Sequence, residues 1–131
     1  MAFDWDGYLM LARTLKSETD GQISTTETEA KRRSAVSRAY YAMYHLGVTY
    51  AKDNLGFSPT ITGPNQGHSE IQGVYRRQFG SVQLQEVKPI LYRLHKARKD
   101  CDYEDKDLGN LETLLESVIL DAERMKAILS T

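Results

Sequence analysis

The chain has 131 residues, 40% hydrophobic and 27% charged, which is enough for one domain with its own core and argues against disorder. Seventeen Lys and Arg face 18 Asp and Glu, so overall charge favours neither nucleic acid nor membrane, and polyanion binding has to come from local clustering. One cysteine, Cys101, excludes an internal disulfide and suggests a buried thiol in a reducing compartment. No apolar run approaches the roughly 20 residues of a membrane span. The opening MAFDWDGYLM lacks the basic and apolar regions of a signal peptide. A cytoplasmic protein of one domain, residues 1–131, with no membrane contact is therefore expected.

The residue pattern predicts an all-α fold of five helices. The first runs from about Asp6 to Glu18, with Tyr8, Leu9, Leu11, Ala12 and Leu15 as apolar positions and Asp4 or Asp6 as cap. The second runs from about Thr26 to Asn54, with Glu29 three residues on as in a capping box and Gly56 beyond its end. Gly56 to Gly67, GFSPTITGPNQG, holds two of the three prolines and reads as the main loop. A third helix from about Gln66 to Phe79 packs through Ile71, Val74 and Tyr75 and stops at Gly80. A fourth spans about Val82 to Cys101, with Pro89 as either a kink or the true first turn. The fifth, from about Leu108 to Leu129, carries the unbroken stripe Leu108, Leu111, Leu115, Val118, Ala122, Met125 and Leu129.

The second helix is unusual because two of its faces are apolar or aromatic. Val36, Tyr40, Met43, Gly47 and Tyr50 form one, and Ser34, Arg38, Tyr41, His45 and Val48 the other. Such a helix belongs at the axis of a bundle or against a second subunit. Arg38 and His45 lie on one face two turns apart, with Tyr41 between them. An arginine can hold a phosphate bidentately, and a histidine exchanges protons near neutral pH. The pair could serve phosphodiester cleavage, but spacing alone favours a hydrogen-bonded tie between helices around the tyrosines.

The segment LYRLHKARKDCDYED offers a second group. The stripe Leu84, Val87, Leu91, Leu94 continues onto Arg98 and Cys101, and a core-facing arginine requires a partner. Asp100, Asp102, Tyr103, Glu29 and the tyrosines of the second helix are the candidates. Lys88, Arg93, Lys96, Arg98 and Lys99 precede Asp100, Asp102, Glu104, Asp105 and Asp107, so the helix is charge-polarised. Its basic half, helped by Lys31, Arg32, Arg33, Arg76 and Arg77, is either a phosphate-facing surface or a solvated one. His68 at the start of the third helix reads as a cap or core residue. His45, His68 and His95 lack close metal-ligand spacing, no phosphate-binding glycine loop is present, and no cofactor is expected.

SRAYYAMYH at Ser37–His45, GHSEIQGVYRRQF beginning at Gly67, and ARKDCDY at Ala97–Tyr103 together resemble the HEPN family, the higher-eukaryote and prokaryote nucleotide-binding domain. The likeness is to its branch with an S-R-A-Y-Y-A-x-[FY]-H helix. It implies an up-and-down bundle of four long helices plus a shorter additional one, often a homodimer, with a small nucleotidyltransferase as toxin–antitoxin-like partner. A nucleotide or RNA ligand is implied too, and in many members metal-independent ribonuclease activity. The family's cleavage motif is an Arg followed, after four to six residues, by a His. Arg38 and His45, with six between them, match that spacing. In members that cleave, the motif lies nearer the last long helix; that place here holds Arg98 and Tyr103, with Asp102 where a His is expected. His95 precedes Arg98 on the same helix. The resemblance thus marks Arg38, His45 and Arg98 as catalytic candidates, with Tyr41, Asp102 and Tyr103 as further ligand contacts. The alternative is a non-catalytic dimeric helical interaction protein.

Overall fold

The structure, a computed structural model, describes residues 3–58, 66–105 and 107–130. It is an all-helical bundle of α1 (Asp6–Thr19), α2 (Thr26–Asn54), α3 (Gln66–Arg76), α4 (Val82–Tyr103) and α5 (Leu111–Leu129). Polar side chains set most of the starts. Asp4 Oδ1 accepts the backbone N–H of Asp6 at 3.0 Å, and Thr25 Oγ1 that of Thr28 at 3.1 Å. Ser81 Oγ caps α4 through Leu84 N–H, and Asn110 Oδ1 caps α5 through Thr113 N–H. At the far end of α2, Phe57 N–H reaches back to Ala51 O across Gly56, whose φ of 66° only glycine adopts without strain.

Four expectations shift. Thr25 rather than Thr26 caps α2, so no capping box closes there, and Glu29 pairs with Arg33 instead. α3 stops at Arg76, because Gln78 N–H and Ser81 N–H fold back in tight turns and leave Phe79 exposed. α5 starts at Leu111, since Gly109 at φ 75° breaks any continuation from Leu108. Leu11, expected inside, is exposed; Leu9 and Ala12 carry the α1 contact. Pro89 lies within α4 and does not end it. Most of the expected loop, residues 59–65, falls outside the described residues.

α2 packs against each of the other four helices. Its Val36, Tyr40, Met43 and Gly47 are buried, as are Leu111, Leu115, Val118, Ala122, Met125 and Leu129 on α5. A Cβ at Gly47 would lie 3.1 Å from Met125 Cε, and the Tyr75 hydroxyl donates to Gly47 O at 2.6 Å, so α3 and α5 both close onto this bare stretch of α2. No helix among the described residues is long and apolar enough to cross a membrane.

Arg32 locks the other end. Only 4% exposed, it donates to Thr19 O at 2.7 Å, Gln22 O at 3.1 Å and Glu112 Oε2 at 3.1 Å, and the same carboxylate oxygen accepts Gly21 N–H. One guanidinium thus ties the α1–α2 turn to the start of α5. Replacing it removes three charge-assisted hydrogen bonds, leaving Thr19 O with only the Gln22 N–H, a cost of about 2–3 kcal/mol by the usual worth of charged hydrogen bonds. Urea unfolding of Arg32→Met should show that loss, and Glu112→Gln a smaller one; equal stability of Arg32→Met and wild type would contradict the tie.

Candidate functional site

The sequence candidates separate into two groups on opposite flanks of α2. Arg38 turns toward α1, its guanidinium carbon 5.2 Å from the centroid of Tyr8. His45 stacks on Trp5 at 3.5 Å with the rings 11° from parallel, and Trp5 meets Tyr8 edge-on. Each residue is thus engaged by its own aromatic side chain from the N-terminal segment, and no hydrogen bond joins Arg38 to His45 among the described residues. Burial, helped by the charge of Lys52, lowers the His45 pKa. A cavity of about 330 Å³ beside His45 is lined by Trp5, Met43, Leu46 and Lys126.

Arg98, Tyr41, Asp102 and Tyr103 do converge. Arg98 is 3% exposed, and its guanidinium lies 5.5, 5.4 and 5.7 Å from the centroids of Tyr40, Tyr41 and Tyr103. One amino nitrogen reaches Asp102 at 3.6 Å and the Tyr103 hydroxyl at 3.4 Å, both long contacts, while the Nε is buried with no partner. Ser37 donates to Asp102 at 3.3 Å and fixes the carboxylate from the α2 side. The other expected partners are used elsewhere, Asp100 by Lys96 and Glu29 by Arg33.

Two histidines join this group. His68 shares a hydrogen bond through Nδ1 with the Tyr40 hydroxyl, and its ring stacks on His95 at 4.3 Å. His95 stacks in turn on Tyr40 at 5.3 Å, and its Nε2 is buried without a partner. Burial is the main cause that lowers both histidine pKa values. The charges of Arg98 and Lys99 add to it at both, and at His95 so does its neighbour His68; His95 falls to about 4. Burial also keeps the Tyr40 hydroxyl protonated by raising its pKa far above the ordinary value, and the Cys101 thiol behind Arg98 is pushed up to about 11. The arrangement therefore sets neutral, proton-accepting imidazoles beside a fixed cation that can hold a phosphate.

Sequence spacing puts His95 one turn before Arg98, but nothing in it brings His68 across from α3. The signal lies in the pairing of Tyr40 with a histidine on a helix that packs opposite. Three of the expected helper cations are structural: Arg32 is buried, Lys31 pairs with Glu18 and Glu27, and Arg33 pairs with Glu29 and donates to Cys101 O. Among the described residues, no cluster of three or more His, Cys, Asp or Glu side chains could hold a metal ion. No protein-family model, no curated protein and no solved structure matches the chain.

The depressed histidine pKa values have a consequence for stability. An unfolded histidine takes up its proton near pH 6.5, whereas folded His95 resists protonation until about pH 4. The fold therefore keeps this contribution above pH 6.5 and loses it as pH falls toward 4. Melting temperature should drop across that window in wild type and drop less in His95→Gln; parallel profiles for the two would rule out His95 as the source.

Proposed function

We propose that the protein is a nucleotide- or RNA-associated module of the HEPN kind, in which the Arg98 guanidinium takes a phosphate. The supporting observation is the state of the guanidinium: almost fully buried, its Nε without a partner, and its two polar contacts long. A phosphate oxygen makes shorter, stronger, charge-assisted hydrogen bonds to such a group. Tyr41 and the exposed Tyr103 add aromatic faces on which a base can stack. Asp102 orients the guanidinium and at the same time repels phosphate, which favours reversible binding over tight capture. In this reading Arg38 and His45 hold the N-terminal segment, and the chemistry lies with Arg98. Association as a homodimer and with a small nucleotidyltransferase, as in a toxin–antitoxin-like pair, belongs to the same proposal and rests on the sequence resemblance.

A second reading, metal-independent endoribonuclease activity, draws on His68 and His95. A neutral imidazole can take the 2′-hydroxyl proton as general base, the adjacent Arg98 cation can stabilise the charge that develops on the phosphate, and the leaving oxygen takes its proton from water, with these two histidines in place of one at position 102.

Thermal shift with AMP, ATP and a short single-stranded RNA separates the readings. A ligand at one hundred times its dissociation constant stabilises by about 2.7 kcal/mol. That shift should be present in wild type and His45→Ala and absent in Arg98→Ala. RNA products seen with wild type and lost in His68→Ala and His95→Ala would establish the nuclease. A protein that light scattering shows to be dimeric and that no nucleotide or RNA stabilises would be the non-catalytic interaction protein instead.

A further inference from the structure

Most of the cations on this surface are already neutralised. Lys16, Lys31, Arg93, Lys96, Arg124 and Lys126 each hold a carboxylate within hydrogen-bonding reach of 3.2 Å or less. Arg76, Lys88 and Lys99 have no carboxylate partner among the described residues, and the three gather where α3 meets α4. Arg76 and Lys88 line one cleft of about 280 Å³ with Ser69, Gln72 and Gly73. Lys99 is close enough to His68 and His95 to lower the pKa of both.

Helix geometry orders these groups. At 100° per residue, Lys88, Tyr92, His95, Lys99 and Tyr103 fall on one face of α4. The face repeats itself: a lysine is followed four residues later by a tyrosine, first as Lys88 and Tyr92, then as Lys99 and Tyr103, eleven residues on. Eleven residues are just over three whole turns, so the second pair stands nearly in line with the first, about 16 Å along the axis. Both tyrosines are exposed, Tyr92 by 54% and Tyr103 by 73%, though they are large aromatic side chains. Lys88 already lies 5.1 Å from the Tyr92 ring. Tyr103 also packs 5.7 Å from the Arg98 guanidinium, so the strip ends beside it.

We infer that this α4 face is a track for single-stranded nucleic acid that runs along the exposed side of α4, from the α3 cleft at Lys88 past Tyr92, which stands over the α4–α5 cleft beside Asp100 and Asp121, and ends at the Arg98 site. Ammonium groups at either end meet backbone phosphates, and the tyrosine beside each offers a ring on which any base can stack without a sequence requirement. At about 3.4 Å per nucleotide of a stacked strand, the distance between the pairs corresponds to about five nucleotides. The ligand is therefore a strand rather than a mononucleotide. This rests on the nucleotide or RNA reading of the Arg98 site and adds where the rest of the chain of phosphates lies.

The test is fluorescence anisotropy with labelled oligouridylates of one, three, six and nine nucleotides, over a range of salt concentrations, with polyglutamate of similar charge as competitor. Affinity should climb up to about six nucleotides and then level. Lys88→Gln with Lys99→Gln should flatten the dependence of log affinity on log salt by about 1.4, near 0.7 for each phosphate that a lysine no longer neutralises. Tyr92→Ala should weaken binding of the six-mer roughly tenfold, within the usual worth of a stacked base. Lys52→Gln, a control at the far end of α2, should change neither. All four positions are at or near the surface, and an unchanged melting temperature confirms that each variant is folded. If the mononucleotide binds in an Arg98-dependent way but affinity does not grow with length, the track is wrong and the Arg98 reading stands. If no oligomer binds at all, both fall. Equal competition by polyglutamate overturns the track as a nucleic-acid site.

Discussion

A guanidinium on the core-facing stripe of α4 is the constraint that organises this bundle. Burying Arg98 among apolar neighbours would cost several kcal/mol if it were left uncompensated. Compensation comes from three sides: Asp102 one turn along α4, the faces of Tyr40 and Tyr41 from α2, and Tyr103 at the helix end. Ser37 then holds Asp102 in place from α2. Because these partners span two helices, the charge fixes the register of α4 against α2 in a way that leucines alone would not.

Tyr40 passes that order on to α3. Its ring faces Arg98, His95 and His68, and its hydroxyl bonds His68. The short α3 therefore docks through two tyrosine hydroxyls, this one from α2 to α3 and that of Tyr75 from α3 back to Gly47. Two glycines let the backbones approach: a Cβ at Gly67 would lie 2.8 Å from the Tyr44 hydroxyl, and one at Gly47 would crowd Met125. The helix with the fewest residues is thus held by directional polar contacts as much as by Ile71 and Val74, and the site forms where those contacts meet.

The helices were legible in the sequence because periodicity and end signals act locally. The α5 stripe, the α3 packing residues and the stripe on α4 can be read from spacing alone, and the structure buries all of them but Leu84 and Leu108, which are half-buried. The misjudged ends have local causes too: Thr25 in place of Thr26 as cap, and Gly109 ahead of α5. What spacing does not carry is which residues meet across helices. Arg38 and His45 share a helix face, yet each is taken up by a different aromatic residue from before or within α1. His68 lies 27 residues before His95 in the chain, and only the folding of α3 onto α4 stacks their rings. Ser37 and Asp102 are likewise joined only by the α2–α4 contact.

Near-neutral overall charge is compatible with a local polyanion surface once the ion pairs are mapped. Acidic residues are spent along α1, α5 and the outer side of α4, where Arg93 meets Asp121 and Arg124 meets Glu86. The inner side of α4 is left with Lys88 and Lys99, and its one acidic residue near the guanidinium, Asp102, is engaged by Arg98 and Ser37. Exposed pairs of the first kind add little to stability, typically below about 1 kcal/mol each. Their larger effect is to remove charge from one face of the protein so that the cations of the other stand alone. Burial is what chiefly keeps His68 and His95 neutral, and the nearby charges of Arg98 and Lys99 act in the same direction.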